Sequence, residues 1–136
     1  MARTALKLAP REWRIYDPAH AFKHRAESER GELSERRREA IKEARRIALQ
    51  LRTEFGAQKV VLFGSLARRG EFTRWSDIDL AAWGIPVERF YAAVAAATGK
   101  STRFRIDLVD AEDCRPALRA AIDKEGRELR LAPWCN

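Results

Sequence analysis

The chain has 136 residues, 46% of them hydrophobic and 35% charged, which is enough apolar material for one domain of ordinary size and excludes both a large multidomain enzyme and a wholly disordered chain. Its 27 basic and 20 acidic residues leave a net charge of +7, which favours polyanionic company (nucleotide, nucleic acid or an acidic protein face) without choosing among them. The two cysteines, Cys114 and Cys135, suggest no disulfide framework or zinc cluster, and no apolar run approaches the ~18 residues of a membrane span, so the expectation is a cytoplasmic protein with reduced thiols and no membrane partner.

Residues 1–33 hold Pro10, Pro18, His20, His24 and aromatic residues at no helical or strand period, and read as a basic arm before a domain spanning residues 34–136. Fourteen basic and nine acidic residues precede Gln58, against thirteen and eleven from there on, so most of the excess charge sits in the arm and first helix. Ser34 can cap that helix, Ile41, Ala44, Ala48, Leu51 and Phe55 give it an apolar stripe, and Gly56 ends it. KVVLFG (59–64) reads as a buried strand, followed by a turn at Gly64-Ser65 and a short helical segment through Ala67 that Gly70 stops. SDIDLAAWG (76–84) alternates polar and apolar residues as a second strand, and Pro86 opens a helix running to about Thr98. FRIDLVD (104–110) is a third strand. Pro116, Leu118, Ala121 and Ile122 mark a last helix closed by Gly126, with a short terminal piece holding Leu129 and Leu131.

Residues two apart on a strand share a face, so Asp77 and Asp79 project together while Ile78 and Leu80 point into a core. Side-by-side carboxylates repel unless a cation lies between them, and a hard divalent ion with oxygen ligands, Mg²⁺ above all, is the usual answer. Asp107 sits in the same pattern between Ile106 and Leu108, so three carboxylates converge if the second and third strands are neighbours. Gly64-Ser65, after a strand and ahead of a helical turn, offers backbone N–H groups to a phosphate, with the Ser65 hydroxyl and Arg68 or Arg69 adding to the cradle. A phosphate cradle beside metal-binding carboxylates is the equipment of phosphoryl or nucleotidyl transfer.

The string FGSLARRGEFTRWSDIDLAAWG (63–84), with the later IDLVD (106–110), resembles the nucleotidyltransferase superfamily related to DNA polymerase beta. More narrowly it resembles the minimal nucleotidyltransferases, the antitoxin halves of HEPN–nucleotidyltransferase toxin–antitoxin pairs. Their pattern is a Gly-Ser turn, a spacer, an Asp-x-Asp pair and a third carboxylate on a following strand, and here eleven residues separate Ser65 from Asp77. The resemblance covers roughly residues 34–131 and implies an α/β (α+β) fold, a small mixed β-sheet flanked by helices. It implies that Asp77 and Asp79 ligate the metal ions, two Mg²⁺, that hold a nucleoside triphosphate, with ATP the first choice. Asp107 would complete the second metal site and help deprotonate an acceptor hydroxyl. Gly64, Ser65, Arg68 and Ser76 form the implied nucleotide-binding set. The implied reaction places AMP on a hydroxyl of a partner macromolecule and releases pyrophosphate. The implied partner is a helical HEPN toxin, silenced by complex formation and, in some members, by AMP on a tyrosine. The chain departs from the commoner Gly-Ser-x-Ala-Arg-Gly by an extra residue, Arg69, which leaves open which arginine faces phosphate.

Each feature also has a plainer reading. Ser76 bonds local backbone, Asp110, Glu112 and Asp113 serve as caps or surface, and Trp75, Trp83, Phe90 and Tyr91 pack in a core or interface. His20 and His24 are solvated, and Arg36-Arg37-Arg38 and Arg45-Arg46 form intrahelical ion pairs with the glutamates around them. Two other functions stay open: an antitoxin that works by steric contact alone, and a nucleic-acid-binding module that uses the basic arm and first helix.

Overall fold

A computed structural model of the chain describes residues 18–99 and 103–130, and internal contacts divide the chain into two units, Met1–Ser34 and Glu35–Asn136. Helix α1 (Pro18–Phe55) starts at a proline, whose fixed φ suits the first helical turn, rather than at a Ser34 cap. Ser34 is an interior helical position. The extra turns escaped the sequence reading because AESERGEL (26–33) has strong helix formers but no apolar stripe, and its described side chains are mostly exposed. The side chains of His20 and His24 lie outside the described residues, as do residues 1–17 and 131–136.

Within the second unit α1 buries Ala40, Ala44, Ile47, Ala48, Leu51 and Phe55, so the stripe is centred on Ala40 and Ile47, with Ile41 at its half-exposed margin. Burying each large aliphatic side chain contributes roughly 1.5–3 kcal/mol. Gly56, at φ 75°, turns the chain, and the Ala57 N–H donates back to the Leu51 carbonyl at 3.0 Å. Three arginines then tie α1 to loops and strand ends. Arg36 donates to the Arg103 carbonyl at 3.1 Å and stacks on Phe104, Arg37 donates to the Leu66 carbonyl at 3.5 Å, and Arg52 donates to the carbonyls of Gln58 and Leu129 at 3.0 and 2.8 Å. The expected intrahelical pairs do form at Arg38–Glu35 and Arg46–Glu43, but Glu39 pairs outward with Arg103.

Four strands, β1 (Lys59–Phe63), β2 (Ile78–Trp83), β3 (Ile106–Asp110) and β4 (Arg127–Glu128), form one sheet in the order β3-β2-β1-β4. β1 runs antiparallel to β2 and β4, while β2 and β3 are parallel, joined by the crossover helix α2 (Val87–Gly99), which packs on β3. Val60, Leu62, Ile78, Leu80, Ala82, Ile106 and Leu108 alternate onto one sheet face and are buried. On the other face Val61, Phe63 and Ala81 form a core cluster with Ala111 and with Ile122 of α3 (Pro116–Glu125), against which Trp83, Val109, Cys114 and Leu118 pack. The fold is thus the expected small mixed sheet with flanking helices. Among the described residues, no helix is long and apolar enough to cross a membrane.

Candidate active site

Asp79 and Asp107 are the second residues of β2 and β3, and the parallel register pairs them directly. Neighbouring strands lie about 4.8 Å apart, so the two carboxylates leave the same face side by side. They share that face with the α3-covered core but stand at the end ahead of it. β3 is an edge strand, which leaves Asp107 exposed while Asp79, one strand further in, is half-buried. Asp77 is not on the strand, which starts at Ile78, where the N–H donates to the Arg105 carbonyl at 2.9 Å. Asp77 is half-buried in the lead-in.

The electrostatics single out Asp79. Burial first, then repulsion from Asp107 and Asp77, push its carboxyl from 3.8 up to about 6, against an opposing pull from Arg68. A half-buried carboxylate that resists ionisation beside two others is a candidate functional group.

The Gly64-Ser65 turn meets this cluster. Gly64 follows β1 at φ 74°, and a Cβ there would collide with the Asp79 carboxylate, coming within 3.1 Å of its Cγ. The position therefore needs glycine both for its left-handed backbone and for the close approach of Asp79. The expected short helix after the turn is instead two overlapping turns, closed by Ala67 N–H to the Gly64 carbonyl at 3.1 Å and Arg68 N–H to the Ser65 carbonyl at 3.3 Å. Gly70, also at positive φ, turns the chain again. Buried Leu66, Ala67 and Phe72 anchor the loop to the core, so its geometry is held by packing rather than by helix hydrogen bonds.

Arg68 is the arginine that reaches the cluster electrostatically. It is held by Glu71 at 2.5 Å and Glu125, at the end of α3, at 3.7 Å. The 68–71 spacing could have suggested the first partner, but nothing local pointed to Glu125. Ser76 accepts from the Thr73 N–H at 2.9 Å, and its own N–H donates to the Thr73 carbonyl at 3.1 Å, which is the local backbone role. Asp110 likewise accepts from the Glu112 N–H at 3.0 Å, and Glu112 accepts from the Gly84 N–H at 2.6 Å, joining the far ends of β3 and β2. Trp83 packs on the core between Lys59 and Arg119, whereas Trp75 and Tyr91 lie outside the core and are solvent-exposed.

The carboxylate cluster is chemically suited to a hard cation, with oxygen donors throughout and repulsion between Asp79 and its two neighbours. Among the described residues no three such side chains form a preassembled cage, so the expected three-way convergence is electrostatic rather than a closed ligand set. Mg²⁺ is commonly held by one or two carboxylates, with phosphates and water completing the shell, and the Asp79–Asp107 pair beside the Gly64 turn meets that description.

The family described as Polymerase beta, Nucleotidyltransferase matches residues 45–131, a span that contains the turn, the Asp-x-Asp pair and Asp107. The chain belongs to the polymerase beta nucleotidyltransferase family. Among solved structures, this nucleotidyltransferase is similar to a chain of a variant MntA–HpeT toxin–antitoxin complex (TM-score 0.52, 24% identity, covering 65% of this chain and 72% of that one). It is also similar to a chain of the complex of a tri-AMPylated Shewanella oneidensis HEPN toxin with its MNT antitoxin (TM-score 0.50, 19% identity, covering 70% and 75%). At these identities the likeness is one of fold. No curated protein matches the chain significantly.

Proposed function

We propose that this nucleotidyltransferase is a cytoplasmic antitoxin that moves AMP from ATP onto a hydroxyl of a helical HEPN-type toxin. One observation carries the reading: the Asp79 carboxylate lies against Gly64 of the phosphate-type turn, with Asp107 beside it in register. The partner and the AMP are suggested by the complexes in which the similar folds occur. Residues 34–136 are the catalytic domain of this proposal and residues 1–33 its basic arm.

In this mechanism Gly64 and Ser65 receive the triphosphate on the turn after β1, and Arg68 leaves Glu71 and Glu125 to meet phosphate charge. Asp77, Asp79 and Asp107 would hold Mg²⁺, which when bound neutralises the phosphates and the carboxylates together. Asp107, the exposed member, takes the proton of the acceptor hydroxyl. The acceptor oxygen then bonds to the α-phosphorus as the bond to the bridging oxygen breaks and pyrophosphate leaves. Ser76 belongs to the nucleotide set only through its turn with Thr73, which fixes the approach to Asp77.

The test incubates the chain, Mg²⁺ and the candidate toxin with ATP labelled at the α-phosphate. Label on the toxin, lost with Asp77→Asn combined with Asp79→Asn, is the expected result. Toxin neutralised by that double variant with no label transferred would instead establish the steric antitoxin.

A further inference from the structure

β3 closes one side of the sheet, and a groove of about 640 Å³ runs along its free edge. Leu108 and Asp110 line its floor, Phe90 and Tyr91 of α2 one wall, and Cys114 and Leu118, around the start of α3, the other. The Ile78 N–H donates to the Arg105 carbonyl at 2.9 Å and the Ala111 N–H to the Ala82 carbonyl at 3.0 Å, so the odd-numbered residues of β3 turn their main-chain groups toward β2. Leu108 therefore turns its N–H and C=O outward, and among the described residues no strand pairs with that edge.

The α2 wall is apolar and uncovered. Tyr91 is 86% exposed and Val87 76%, on a helix whose only charged residues are Glu88 and Arg89. A helix that is apolar nearly all round is normally covered on every side. Because the β3 edge is recessed between two helices, the equally recessed edge of a second copy cannot reach it, whereas a lone extended segment can.

Residues 131–136, LAPWCN, have the composition and the reach of such a segment: no charged side chain, and a single large one, Trp134. The Leu129 N–H donates to the Val60 carbonyl, Val60 pairs with Ala82, and Ala82 pairs with Asp110, so Leu129, just past β4, stands level with Asp110 at the same end of the sheet. The strand order puts three inter-strand steps between them, roughly 14 Å in all. The chain from Leu129 to Trp134 spans up to about 17 Å when extended.

We propose that residues 131–136 cross the end of the sheet and dock in this groove, with Trp134 seated between Tyr91 and Leu118 and Cys135 brought beside Cys114. The docked segment occupies the edge of the strand that also carries Asp107, so a partner approaching that edge must displace it. The proposal requires no transfer activity.

Cys114 and Cys135, the only two thiols in the chain, report on the docking. N-ethylmaleimide is added to the folded full chain, and the modification rate of each cysteine is read by peptide mass spectrometry. Trp134→Ala should speed modification of Cys114 about tenfold, through loss of the buried ring, while Trp134→Phe keeps most of the protection. Tyr91→Ala should also speed it, but should add little in the Trp134→Ala background, because both variants undo the same contact. Both positions can be changed without opening the core, and melting curves confirm that the variants fold. Diamide, which takes up the two thiol hydrogens as it is reduced to the hydrazine, should join Cys114 to Cys135 within one chain about tenfold more slowly in Trp134→Ala than in wild type. Equal Cys114 rates in wild type and Trp134→Ala overturn the proposal. So do fully additive effects of Tyr91→Ala and Trp134→Ala, protection that rises with protein concentration, and diamide products linked only between chains.

Discussion

Asp79 and Gly64 occupy each other's space: the carboxylate fills the volume that any side chain at position 64 would take. Gly64→Ala therefore meets two costs, a left-handed backbone at about 1–2 kcal/mol and displacement of Asp79. Removing the carboxylate relieves the second alone. Urea denaturation should show Gly64→Ala and Asp79→Ala coupled by roughly 0.5–3 kcal/mol, the double variant being more stable than the singles predict. Strict additivity would contradict the contact.

Asp79 keeps its proton up to about pH 6 when folded, against 3.8 ordinarily. Between those values the folded chain binds more protons than the unfolded one, so stability declines as pH rises through the window and the full penalty is present above it. The side chain is only half-buried, so water screens the effect. Asp79→Asn should raise the Tm at pH 8 and change it little at pH 4. An equal shift at both values would mean that the charge is not the cause.

Arg68 opposes that upward shift. Arg68→Ala should move the carboxyl titration of Asp79 further up, read by carbon NMR of the side chain, while Glu125→Gln leaves the guanidinium held by Glu71 and moves it less.

A cation at the cluster should stabilise the folded chain. Mg²⁺ at a hundredfold its Kd adds about 2.7 kcal/mol, visible as a rise in Tm at pH 8. Asp79→Asn and Asp107→Asn should each blunt that rise, and chelator should reverse it in the wild type.

Arg52 joins the end of α1 to the Gln58 carbonyl before β1 and the Leu129 carbonyl after β4. Arg52→Ala leaves both oxygens without this donor and should cost about 2 kcal/mol, with Arg52→Lys recovering part, since an ammonium lacks the fork that spans two carbonyls. Chemical denaturation of the two variants measures the difference.

The heart of the candidate site was legible as a placement of residues because it is written at short range. Period-two alternation placed Asp79 and Asp107 on strands with apolar neighbours pointing away, and a glycine after a hydrophobic strand marked the turn. What stayed illegible depends on distant partners or on the lack of a pattern. Residues 18–33 continue α1 on propensity alone, with no stripe to announce it. Arg36, Arg37 and Glu39 look like members of a solvated charge run, yet they reach Arg103 and Leu66, far away in sequence. The residues after Ser65 form turns rather than a helix because buried Leu66, Ala67 and Phe72 dictate their path. Asp77 falls just outside β2, a one-residue difference that turns a strand pair into one strand carboxylate and one on its approach.

The parallel pairing of β2 with β3 also sets when the site can exist during synthesis. The turn and the Asp-x-Asp pair emerge together and can meet through the local β1–β2 hairpin, but Asp107 joins only after all of α2 has been made and has folded back across the sheet. A nascent chain halted within α2 would present the phosphate-type turn and two carboxylates without the third. The complete cluster therefore arises only once the crossover has closed.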